Sequence, residues 1–221
     1  MKRIISLVTA IILLFGVLTA LNSCDRSYNE EEVKAAALTL IPESLFLNEI
    51  YWGKGIPYVS GNSNGSYHEA NFLALSEYGF HTVEELKTLT RKTFSKGYCS
   101  YIFSTSFSSI MDNEEVQFLA RYYQKYTDET QTVPECIMVY SQFENLLPDK
   151  VEYLYDSLKV THSEKDVVFV SVKARVERNG NVQYRDKEIG LIEEEDGWRI
   201  DTTTYLTYNE YKNEYEDLKK Q

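Results

Sequence analysis

Three cysteines, three histidines and one alternating run of charges are the side chains of this 221-residue chain whose types could do chemistry. His68, His81 and His162 stand far apart, none at ligand spacing from another or from a cysteine. No metal site is expected on that ground, and no cofactor is implied. HExxH, CxxC and GxSxG do not occur, and the glycines between residues 53 and 65 lack the Lys-Ser/Thr that follows a phosphate cradle. A Cys–His nucleophile would need Cys99 or Cys136 beside a histidine in space, and nothing in the spacing supports that pairing. The run Arg185-Asp186-Lys187-Glu188 offers more, because it returns on a strand against Val172 and Ala174. A one-residue slip flips every side chain, so in either register a charged pair falls opposite those apolar residues. Asp186 or Glu188 held there would have its pKa raised and could act as a general base. A solvated rim, with long side chains lying over the sheet edge, is the plainer expectation.

Cys24 carries a different chemistry. Lys2 and Arg3 open the chain, an apolar run extends from Ile4 to Leu21, and Asn22, Ser23 and Cys24 follow. A basic start, an apolar stretch and small residues before a cleavage point describe a secretory signal. Leu21-Asn22-Ser23-Cys24 resembles a bacterial lipobox. Residues 1–23 are therefore expected to be a lipoprotein signal peptide, Cys24 the lipid-attachment residue and 24–32 a polar tether. The expected location is the cell surface, anchored through lipid to the outer face of the cytoplasmic membrane. An uncleaved anchor is the alternative, since the run is just long enough to span a bilayer. That compartment permits a Cys99–Cys136 disulfide, yet both positions also suit buried free thiols, and their pairing stays open.

The formal net charge is −11, and about −13 once residues 1–23 with Lys2 and Arg3 are removed. Such a surface repels phosphates and anionic headgroups, so no nucleic-acid partner is expected. Eighteen tyrosines supply apolar rings with polar tips, which suit protein and sugar recognition as well as half-buried packing. Tyr51, Trp52 and Tyr58 flank a glycine-rich segment and are the expected partner-binding residues. Tyr205, Tyr208, Tyr211 and Tyr215 crowd the C-terminus.

Apolar spacing predicts a helix from Val33 to about Trp52, which Pro42 should end or kink. Gly53 to Ser66 reads as a long flexible loop and Phe72 to Phe80 as a strand. Thr82-Val83-Glu84-Glu85 fits a capping box opening a helix, and Ser95 opens the next. Val116, Leu119, Tyr122, Tyr123 and Tyr126 fit one side of a third. After Pro134 the period becomes two: strands are expected at 136–141, 155–161, 168–176 and 182–194, with turns at Asn179-Gly180 and Asp196-Gly197. Trp198 and Ile200 should share a face, with Trp198 buried on the 168–176 strand. Residues 33–221 thus read as one α+β domain, N-terminal helices packed on a twisted antiparallel sheet with a C-terminal helix from about Tyr205.

Two stretches carry a family resemblance. Thr82-Val83-Glu84-Glu85-Leu86-Lys87 with Phe94-Ser95-Lys96-Gly97-Tyr98 resembles a "T-x-E-E-L-K … F-T-x-x-Y" helix pair. Glu195-Asp196-Gly197-Trp198-Arg199-Ile200-Asp201-Thr202 resembles a terminal "G-W-R-I-D-T-P-T-Y" strand. The pattern is similar to IseA-type inhibitors of cell-wall DL-endopeptidases and their clostridial lipoprotein relatives in Gram-positive bacteria. It covers roughly residues 72–205, with Thr203 where the pattern has proline and an added N-terminal helix. The resemblance implies a cystatin-like or SnoaL-like cone. It also implies a non-enzymatic module that binds and blocks a peptidoglycan hydrolase of the NlpC type. No contact residue carries over. Two other readings stay open: a small cone-fold enzyme using Asp186 or Glu188, and a wall sugar- or peptide-binding module with Tyr51, Trp52 and Tyr58 as its platform.

Overall fold

One 22-residue helix, α1 (Glu30–Tyr51), organises the molecule. The computed structural model describes residues 28–206 apart from 113–114, 144, 148–149 and 179. Cys24 and the expected C-terminal helix beyond residue 206 lie outside the described residues. Asn29 caps α1 by accepting from Glu31 N at 3.1 Å, and Glu30, Glu31 and Glu32 complement the positive end of the helix dipole. The helix continues past Pro42 rather than ending there. Val33, Ala37, Leu40 and Ile41 before or beside it, and Leu47, Ile50 and Tyr51 after it, are all buried. Their packing outweighs a proline cost of about 3 kcal/mol.

Four antiparallel strands form the sheet that α1 covers: β7 (Lys150–Glu164), β8 (Val167–Arg178), β9 (Asn181–Glu194) and β10 (Gly197–Ile200), in the order β10-β9-β8-β7. Val168, Val170, Val172, Ala174 and Val176 alternate inward on β8, joined by Ile189, Leu191 and Ile200. Arg178 pairs with Asn181 across the expected hairpin turn, where Gly180 takes φ +77°. Trp198 is only half-buried. Its Nε1 donates to Glu32 Oε1 at 3.4 Å, so it covers the first turn of α1 rather than filling the core.

The other four-stranded sheet, first in chain order and so the first sheet, has the order β1-β2-β6-β5, with β1 (Tyr58–Asn64), β2 (Tyr67–Ala70), β5 (Tyr122–Tyr126) and β6 (Pro134–Tyr140). The segment expected as a flexible loop therefore holds strand β1 and its turn into β2, where Gly65 adopts φ +62°. The expected strand at 72–80 is a short helix, α2 (Phe72–Tyr78). Asn71 caps it through Leu73 N and Ala74 N, and Gly79 ends it in the left-handed conformation. The expected third helix is replaced by β4 (Glu115–Phe118), paired with β3 (Ile110–Asp112), and by β5. Tyrosines fit a pleated surface well, and pairing with β6 decides for strand.

Helices α3 (Val83–Thr93) and α4 (Lys96–Phe107) form as expected, with the Thr82–Glu85 capping box complete and Ser95 capping α4. The residues that carry the family resemblance are joints of this framework. Ser95 N donates to Ile200 O at 2.9 Å, and the Ser95 hydroxyl donates to Asp201. Arg199 Nε donates to Arg91 O at 3.0 Å. Thr204, wholly buried, sits 2.7 Å from Ser44 Oγ and accepts from Asn48 Nδ2 at 2.8 Å, while its carbonyl accepts from Tyr153. The chain leaving β10 is thereby fixed to α1. The class is α+β.

Candidate binding surface

The first sheet has two unlike faces. Ala70, Tyr122, Ile137 and Val139 point to the core. Tyr122 OH donates to Ile50 O at 2.6 Å and accepts from Ile56 N at 3.2 Å. Its neighbour Arg121 is 2% exposed and donates to Tyr51 O at 2.7 Å, Gly53 O at 2.6 Å and Tyr122 OH at 2.9 Å. Burial lowers the Arg121 pKa, and the carbonyls at the negative end of α1 compensate the cation. The guanidinium also lies 4.0 Å from the centre of the Phe143 ring. This clamp bolts the sheet to the end of α1.

The opposite face is built by cross-strand register. Tyr67 pairs with Tyr140, Glu69 and Tyr123 each with Met138, and Lys125 with Cys136. The Tyr67 ring stands edge-on to Tyr123 at 4.9 Å and lies 5.3 Å from Tyr140. Tyr67 OH donates to Ala120 O at 2.6 Å, and burial raises its pKa. Lys125 Nζ lies 2.8 Å from Glu135 and 3.5 Å from Glu69. Its hydrogen bond to Glu135 is the main reason its pKa is raised. A groove of about 910 Å³ opens here, lined among others by Asn64, Glu69, Tyr123, Lys125, Asp128 and Gln131. Its wall between β5 and β6 is held by Asp128, whose carboxylate accepts from the hydroxyls of Thr130 and Thr132 and from Val133 N at 2.9 Å. Those bonds, the Thr130 hydroxyl first, hold Asp128 well below the usual carboxylate range. Gln131 in this loop takes φ +54°. A fixed loop and half-buried tyrosines lose little freedom on binding, which favours recognition.

Glu69, Glu135 and Cys136 place their donor atoms within 4.8 Å of one another. The Lys125 ammonium pairs with both carboxylates, and burial raises the Cys136 thiol, so the cluster is an ion-paired patch that keeps a net negative charge. Cys136 Sγ contacts Met138 Sδ at 3.8 Å.

The residues singled out from sequence fare differently. Tyr51 is fully buried and pairs with Thr90 Oγ1 at 2.7 Å, and Trp52 is 6% exposed and packs on Tyr101 and Tyr205. Neither presents a surface platform. An apolar helix end followed by glycines reads as an exposed flank, but Arg121 pulls it inward. Tyr58 is 42% exposed and stacks on His68 at 4.8 Å. On β9 the charged pair facing Val172 and Ala174 is Lys187 and Arg185, while Asp186 and Glu188 are exposed opposite Lys173 and Ser171. The carboxylates are therefore not held against apolar surface. Cys99 and Cys136 are free thiols. Cys99 donates to Phe94 O at 3.4 Å, and burial pushes it up to about 11. His81 stacks on Phe72 and His162 on Phe169, and Glu188 approaches His162 Nδ1 at 3.8 Å. Tyr67 and Tyr140 were visible in the sequence only as part of its tyrosine abundance, and Tyr123 only on one side of the expected third helix.

No protein-family model matches the chain, and no curated protein matches it significantly. No helix among the described residues is long and apolar enough to cross a membrane.

Proposed function

We propose that the chain is an extracytoplasmic lipoprotein, lipidated at Cys24, whose domain binds a protein partner without transforming it. The observation that carries this reading is the outer face of the first sheet, where Tyr123 lines a groove beside an internally braced loop and packs on Tyr67, which in turn meets Tyr140. Tyrosine-rich, pre-ordered surfaces of mixed polarity are what protein recognition uses. The partner we propose is an NlpC-type cell-wall hydrolase, on the strength of the sequence resemblance. A net charge of −11 favours encounter with a basic cleft rim. Affinity capture from cell-envelope extract tests it, followed by peptidoglycan digestion with and without the chain. Retention of an endopeptidase and slower digestion are expected. Retention of no envelope hydrolase removes the reading. For the anchor, Cys24→Ala should abolish labelling by a fatty-acid analogue, and equal labelling of both forms would end the lipoprotein assignment.

A further inference from the structure

Among the described residues the two four-stranded sheets have four outer strands, and three of them are guarded. β5 is covered by α3 and α4, with Gln124 Oε1 accepting from Val83 N at 3.0 Å. β10 is closed by Ser95 N bonding to Ile200 O at 2.9 Å and by the Phe94–Ile200 bridge. β7 carries Lys150, Glu152, Asp156, Lys159 and Glu164, and its pairing shifts register twice. Charges of that kind are how proteins keep strand edges from being extended. β1 differs. Its sequence Tyr-Val-Ser-Gly-Asn-Ser-Asn has neither charge nor proline, although 26% of the whole chain is charged. Among the described residues it pairs only with β2, through Tyr58, Ser63 and Asn64, with one register shift between. Tyr58 and Val59 are 42% and 44% exposed.

We infer that β1 is a docking edge to which a partner protein adds an extended, lysine- or arginine-bearing segment as a fifth strand. The inference rests on the protein-binding reading above and names its mode. Main-chain hydrogen bonds along β1 would hold the segment, and alternate side chains would select it. Charge fixes the class of segment. The adjoining groove is lined by Glu69, Asp128 and Glu129 against Lys125 alone, in a chain of net charge −11. Gly61 lies on the same groove, and the space where its Cβ would stand is open. A long cationic side chain on the added strand can therefore pass over Gly61 toward these carboxylates.

Fluorescence anisotropy with the full chain in non-ionic detergent tests this, using two labelled eight-residue peptides, one alternating lysine with valine and the other glutamate with valine. The lysine peptide should bind at least about tenfold more tightly and should protect amides of β1 from hydrogen exchange. Gly61→Lys places a charge on the edge without a clash and should cost about tenfold in that affinity, with an unchanged unfolding midpoint. Gly61→Glu should retain binding. Equal affinity for both peptides, unaltered binding by Gly61→Lys, or no binding at millimolar peptide would each overturn the inference. So would a concentration-dependent dimer that Gly61→Lys abolishes while no peptide binds, because a second copy would then be the occupant. Capture of an envelope hydrolase that Gly61→Lys leaves unchanged would defeat the docking edge and spare the protein-binding reading. Peptide binding without any captured hydrolase would defeat the hydrolase assignment and spare the edge.

Discussion

The two sheets divide the work of the molecule. The β7–β10 sheet turns an unbroken row of valines and an alanine on β8 toward α1, and its joints are buried and hydrogen-bonded: Thr204 to Ser44 and Asn48, Ser95 to Ile200. The β1-β2-β6-β5 sheet is shorter, turns tyrosines and an ion-paired patch outward, and has an uncharged edge. One sheet holds the shape, and the other carries the surface that the proposed function assigns to a partner. The residues on which the proposed family resemblance rests lie at joints of the β7–β10 sheet. They therefore speak to the framework, and the surface that would select a partner must be found from structure.

The largest effect should come from breaking the clamp that joins the halves. Arg121→Met strands the carbonyls of Tyr51 and Gly53 and takes one of its donors from the Tyr122 hydroxyl, which should lower stability by about 3–5 kcal/mol in urea unfolding. Arg121→Lys should recover only part of this, because an ammonium lacks the planar fork. A loss under about 1 kcal/mol would mean the clamp is not what fixes the tyrosine face.

Thr204→Val probes the shape-holding sheet alone. It keeps side-chain volume but removes the hydroxyl that serves Ser44 and Asn48 in a dry site. A cost of about 1–3 kcal/mol is expected, with partner binding intact in the folded fraction. Tyr123→Ala probes the other sheet. It removes the edge-on contact with Tyr67 and should cost about 1 kcal/mol of stability, so that any larger defect in binding reports recognition.

The smallest effect concerns pH. Glu85 accepts from His81 N and Thr82 N, and these bonds hold its pKa below the ordinary value of 4.5. Its contribution is therefore fully present above the unfolded value and is lost as pH falls through the lower folded one. Glu85→Gln should cost about 0.5 kcal/mol near neutrality, and the two stability curves should converge in acid. Parallel curves at all pH values would remove Glu85 from the acid response.

The sequence was readable where structure is decided locally. The Thr82–Glu85 box, the Ser95 cap, the inward alternation of β8 and the turn at Gly180 are each short-range signals, and each appears in the fold. Asn71 and Gly79 were a readable cap pair as well, but the apolar run between them resembles a strand. β1 has no alternation to read, because after Tyr58 and Val59 it holds only polar residues and a glycine. Tyr122, Tyr123 and Tyr126 fit a helical face and a strand equally, and only pairing with β6 settles the choice. The outer face was least legible. Tyr67, Tyr123 and Tyr140 meet through strand order, and Arg121, which buries the expected platform at Tyr51 and Trp52, acts from 70 positions away.

The central claim is that the tyrosine face of the first sheet, and not the charged face of β9, recognises the partner. Affinity capture from one envelope extract with three baits tests it directly: the natural chain, Tyr123→Ala and Glu188→Gln. The natural chain and Glu188→Gln should retain the same endopeptidase, and Tyr123→Ala should retain about tenfold less. Undiminished capture by Tyr123→Ala with loss in Glu188→Gln would contradict the account, as would retention of no hydrolase by any bait.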